Sequence, residues 1–159
     1  MDRYRIEENM REANEAVKKL REIWPKWKPD KTLRGKLSAF GATAMMSGLM
    51  PALAYFVENE PAVVLLLMKM DGQELPEKIT GDDNAKKAVK NFFDRLLDSQ
   101  EATRKDTAER FMEYGVSLKL VLNLYIKSAQ NGETQSDETE AAQSDVKEGS
   151  QEGGQADGE

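Results

Sequence analysis

The sequence predicts an all-α protein: a compact bundle of about five or six helices, residues 1–128, followed by a disordered acidic C-terminal tail, residues 129–159. Three observations carry this. Apolar residues recur at steps of three and four from Ile6 to Tyr125, no stretch alternates with period two between hairpin turns, and the composition changes abruptly at Ala129. At 159 residues the chain is long enough for one helical domain with a real core and too short for two ordinary ones.

In the first segment Ile6, Met10, Ala13, Val17, Leu20 and Trp24 fall in one stripe, and Pro25 and Pro29 end it. Asp30 suits the N-cap of the next helix, which carries Leu33, Leu37, Phe40 and Ala44. Gly48 and Pro51, within Ser-Gly-Leu-Met-Pro, either kink one helix or separate two. Pro61 then opens a short apolar helix, PAVVLLLMKM. Residues 71–84, with two glycines, a proline and clustered Asp and Asn, read as a loop. Beyond it, Ala85, Ala88, Val89, Phe92, Phe93, Leu96 and Leu97 mark an amphipathic helix. A last long helix runs from about Thr103 to Ser128, with Ala108, Phe111, Tyr114, Leu118, Val121, Leu122 and Tyr125 on one face.

The tail holds nine acidic residues, one lysine, no aromatic residue and one branched aliphatic, Val146. It cannot bury enough apolar surface to offset the entropy of ordering. The remaining 128 residues carry 22 basic and 20 acidic side chains, so the folded part is mildly basic. The tail could fold back on the basic residues; a solubilising role is the plainer expectation.

Nineteen residues from Ala39 to Val57 carry no charge. Their length would suffice for a membrane span, but Gly41, Thr43, Ser47, Gly48, Pro51 and Tyr55 dilute the hydrophobicity. Small residues such as Ala39, Gly41, Ala42, Ala44 and Ala52 instead suit a central bundle helix buried all round, and Met45, Met46 and Met50 leave room for a partner surface. No membrane contact is expected. The N-terminus lacks the apolar core and cleavage site of a secretory signal, which points to the cytoplasm.

The chain has no cysteine and no histidine, which excludes disulfides, thiolate nucleophiles, Cys/His zinc sites and His-based acid–base catalysis. Asp82 and Asp83 sit together in a loop, and Glu109 and Glu113 share a helix face. Neither pair has a third ligand or a histidine beside it, so a metal-dependent enzyme ranks last and no cofactor is expected. The basic residues say more. In the first helix Glu7/Arg11 and Glu15/Lys19 stand in the favourable order for i,i+4 pairing. From Trp24 to Leu37, however, Lys26, Lys28, Lys31, Arg34 and Lys36 face only one acid, Asp30, and are interleaved with Trp24 and Trp27. That pattern suits a nucleic-acid backbone with base stacking; equally, the tryptophans could pin the turn while the lysines are solvated.

The run GKLSAFGATAMMSGLMPALAYFVEN resembles a segment of the small all-helical subunit, the fifth Cmr subunit family, of the type III-B CRISPR RNA-targeting Cmr effector complex. The matching positions are Gly48-Leu49 and Leu53-Ala54-Tyr55-Phe56. The last helix is similar to that family's closing helix, with Arg104, Thr107 and Glu109, an apolar face and Lys119; its aromatic-rich end is reduced to LNLYIKSA and the acidic tail is added. The resemblance implies a non-catalytic subunit that bridges other Cmr effector subunits, including the large subunit and the backbone subunits, self-stacks along a filament and helps hold guide RNA and target RNA in antiviral defence. The candidate RNA-binding residues are Lys26, Lys28, Lys31, Arg34 and Lys36, with Arg104 and Lys119 as secondary ones. The competing expectation is a helical adaptor that binds only proteins.

Overall fold

A computed structural model describes residues 3–126, and among them all regular structure is helical. The helices are α1 Arg3–Ile23, α2 Lys31–Ser47, α3 Leu49–Asn59, α4 Pro61–Met70 and α5 Asp82–Leu97, and a sixth, α6, occupies 101–126. The acidic segment 129–159 lies outside the described residues. Residues through Asn123 form one compact unit, and the packing below lies within it.

The first stripe folds as its spacing requires. Ala13, Val17 and Leu20 are fully buried, joined by Ala16 and Ile23, while Ile6 and Met10 are only half-buried. The expected Glu15/Lys19 pairing gives way to Lys19 meeting Glu22 at 3.9 Å; on an exposed helix either choice is worth a few tenths of a kcal/mol at most, roughly.

The helix buried all round is α4, not the uncharged stretch 39–57. Every α4 residue except Lys69 is buried, including the run from Ala62 to Met68. Its composition explains this, since an apolar residue at nearly every position leaves no face for water. The stretch 39–57 is instead two half-buried helices separated at Gly48. That glycine has φ 97° and ψ 166°, and its N–H bonds the Ala44 carbonyl at 3.0 Å. Leu49, Ala52, Leu53, Phe56 and Val57 of α3 face the core, while Ala42, Met45 and Met46 of α2 are exposed.

An aromatic cluster ties α2, α3, α5 and α6 together around Phe111. Its ring stacks on Phe92 at 5.9 Å and tilts towards Phe40 at 6.4 Å, and Phe40 meets Phe56 edge-on at 5.2 Å. The 71–81 loop is pinned as well as polar: Ile79 is buried and its N–H bonds the Ile23 carbonyl at 2.8 Å. At the end of α4, Gly72 takes φ 80° and accommodates two reversed bonds, Gln73 N–H to Met68 and Gly72 N–H to Lys69, at 3.0 and 3.1 Å. Ser117, fully buried on α6, has no hydrogen-bond partner for its hydroxyl.

Candidate nucleic-acid interface

The two tryptophans of the basic connector do different jobs. Trp24 continues α1 by bonding the Leu20 carbonyl at 2.9 Å and is 8% exposed, so it belongs to the core. Trp27 bonds back to the Trp24 carbonyl at 3.0 Å and is half-buried, leaving part of its indole open to solvent. Of the pair, Trp27 alone has surface on which a ligand could stack.

Asp30, the single acid of the connector, caps α2. Its carboxylate accepts from the Thr32 and Leu33 N–H groups at 3.0 and 3.1 Å and from the Thr32 hydroxyl at 2.6 Å. The Thr32 hydroxyl is the main cause that holds this carboxyl below its ordinary range. Its charge is therefore committed to the helix terminus.

The seven candidate cations separate into three groups. Lys26, Lys28, Lys31 and Arg34 are exposed on the connector and the first turns of α2. Arg34 bonds Asn123 and Lys119 bonds Ser38 at 3.2 Å. Both partners are neutral, so Arg34 and Lys119 keep their full charge. The two bonds step four residues along α2 and four back along α6, which shows these helices running antiparallel side by side and places Lys119 on the same seam as Arg34. Lys36 differs, because Glu60 from the α3–α4 junction reaches it at 2.8 Å and balances its charge. The expectation of five cations opposed by Asp30 alone misses this acid, which is 24 residues distant in sequence. Arg104 lies apart at the α5–α6 turn, where it bonds the Ser99 carbonyl and serves the turn itself.

Lys26, Trp27 and Lys28 share the lining of a cleft of about 580 Å³ with Glu58, Asn59 and Glu60 and with Asp82 and Lys86. Lys86 approaches Glu58 at 3.7 Å. No local sequence signal marks Glu58 and Asn59 as facing the connector; their placement follows from the turn at Glu60 that starts α4.

The four carboxylates considered for a metal do not converge. Asp82 and Asp83 occupy the first turn of α5, Glu109 is exposed on α6, and Glu113 pairs with Arg5 of α1 at 3.2 Å. Among the described residues no three metal-ligating side chains gather, and no helix is long and apolar enough to cross a membrane. Compared with family models, curated proteins and solved structures, the chain finds no match in any of the three.

Proposed function

We propose that the chain is a non-catalytic small subunit of a type III-B CRISPR effector ribonucleoprotein, the Cmr complex, working in the cytoplasm to hold guide RNA and target RNA between protein neighbours. One observation carries the RNA part: Lys26 and Lys28 line a cleft with the part-open Trp27, and Lys31 and Arg34 are exposed in the first turns of α2, with Lys119 on the adjoining helix. Cations of this kind meet phosphates without reading sequence, and an indole stacks on any base. The assignment to Cmr rests on the resemblance of the 35–59 and 102–129 segments.

The test is affinity purification of the tagged full chain from its native cells, with co-purifying RNA sequenced and proteins identified. Short repeat-derived guide RNAs together with larger effector subunits support the reading. Protein partners without such RNA overturn it in favour of an adaptor. That second reading draws on the exposed apolar side chains Met45, Met46 and Tyr55, which are 77%, 87% and 59% accessible.

A further inference from the structure

The antiparallel helices α2 and α6 leave an apolar groove of about 280 Å³ between them. Its lining includes Phe40, Leu67 and Phe111, all buried, so its inner end reaches the aromatic core, while Met45 and Met112 border it nearer the surface. Two glycines keep it open. Gly41 of α2 and Gly115 of α6 both line it, and neither has the positive φ that would require glycine. A Cβ added at Gly41 would meet only the Met112 thioether, at 3.8 Å or more, and one added at Gly115 would meet nothing within 4 Å. Glycine is otherwise a poor residue inside a helix. Its effect at both positions is to leave space that the fold itself does not fill.

The groove has one charged end. Lys119 and Ser38 both line it, and Lys119 Nζ bonds Ser38 Oγ at 3.2 Å, which fixes where the ammonium stands. Among the described residues that line the groove none is acidic, so this charge is unopposed there. Arg34, bonded to the neutral Asn123, lies one turn farther along the same seam. An occupant therefore needs an apolar body and a carboxylate at the Lys119 end. Size decides what kind of occupant this is. At about 280 Å³ the groove falls below the roughly 300–1,000 Å³ of small-ligand sites. The apolar surface nevertheless continues past it, because Met45 at its border and the adjacent Met46 are both exposed. A crevice of this size beside adaptable methionines suits one or two anchoring side chains of a larger partner.

We propose that the groove between α2 and α6 docks an amphipathic helix of a protein partner, which sets a large apolar side chain between Gly41 and Gly115 and a carboxylate against Lys119. Two helices lying side by side offer a third helix a groove for its apolar stripe, and the missing side chains let it approach closely. Lys119 thereby belongs to the protein contact, while Lys26, Lys28, Lys31 and Arg34 remain for RNA. The proposal rests on the protein-neighbour part of the reading above and adds to it a surface and the chemistry of the partner.

The experiment puts the photo-crosslinking residue p-benzoylphenylalanine in place of Met45 in the tagged full chain, irradiates its native cells, and identifies the adducts by mass spectrometry. The same residue in place of Lys87, exposed on α5 and outside the groove, is the control. The expected adduct at position 45, absent at 87, is a partner peptide with a large apolar residue within about one helical turn of an Asp or Glu. Gly115→Phe, which plugs the groove, and Lys119→Glu should each reduce it about fivefold or more. Changing the partner's acid to lysine should restore it in Lys119→Glu. Thermal melts check that the variants fold, and Ala42→Glu, an exposed change at the groove, replaces Gly115→Phe if that variant does not. An adduct to RNA, to a second copy of this chain or to a peptide without an acid overturns the proposal. So does an adduct no stronger than at position 87, or one indifferent to both the plug and the charge reversal. Guide RNA and effector subunits recovered without the adduct overturn the groove alone; the adduct with no guide RNA keeps the groove and overturns the Cmr assignment.

Discussion

Arg110 of α6 grips Asp71 at the end of α4 by two contacts, Nε to Oδ1 at 2.7 Å and Nη2 to Oδ2 at 3.3 Å. Asp71 is an awkward residue there. Its side chain is 7% exposed, and a negative charge at a helix C-terminus opposes the helix dipole. Arg110 offsets both costs, and the Tyr114 hydroxyl donates to the same carboxylate at 3.0 Å.

Arg110→Ala should therefore lower stability by about 2 kcal/mol, because it leaves a nearly buried carboxylate without its cation. Urea unfolding of the full chain measures it. Asp71→Asn in the Arg110→Ala background should recover much of the loss, since an amide carries no charge to be compensated. Equal damage in the single and double variants would show that packing, not charge, dominates at this contact.

Tyr114 gives a pH dependence with a defined sign. Burial, followed by the neighbouring charge of Asp71, pushes its hydroxyl up to about 12, whereas an unfolded tyrosine titrates near ~10. The neutral form is the one the fold accepts. Its contribution is complete below pH ~10 and is lost as pH rises towards about 12, because the unfolded chain releases the proton first. The loss is roughly 1 kcal/mol once solvent screening of this part-exposed group is allowed for. Unfolding curves across pH 9–12 should fall more steeply for the native chain than for Tyr114→Phe; parallel curves would remove the effect.

Gly48 should resist replacement. Its φ of 97° with ψ of 166° lies in a region open essentially to glycine, although the space around an added Cβ is free, with Pro51 Cδ the nearest atom at 3.8 Å. Gly48→Ala should cost about 1–3 kcal/mol from backbone strain alone. A neutral variant would mean that α2 and α3 are able to join through another backbone path.

These sites divide by how far their partners lie along the chain. The stripe Ala13–Val17–Leu20, the Asp30 cap and the Pro61 start were legible because periodicity, capping and proline geometry act within a few residues. The break at Gly48 was legible as punctuation, but its outcome, two half-exposed helices, depends on α4 filling the centre. Asp71 with Arg110, Lys36 with Glu60, and Ile79 with Ile23 were not legible, since each joins residues 24 or more apart and no local pattern specifies the partner. The connector shows both cases: its cations could be read directly, but only packing separates the core Trp24 from the part-open Trp27.

That distinction gives the last prediction. Lys31 and Arg34 keep an unopposed charge, whereas Lys36 is balanced by Glu60 at 2.8 Å. Lys31→Glu/Arg34→Glu should weaken single-stranded RNA binding at least tenfold at low salt and flatten the plot of log affinity against log salt by about 1.4, near ~0.7 for each lost phosphate contact. Lys36→Glu should instead act mainly on the fold, setting like charges together at the α3–α4 junction and lowering the midpoint of thermal unfolding, with a smaller change in the salt slope. Filter binding over a salt series, paired with thermal melts of the same samples, separates the two effects. If Lys36→Glu flattens the slope as much as the double reversal does, the Glu60 contact does not hold Lys36 out of the RNA-binding surface, and all five connector cations act together.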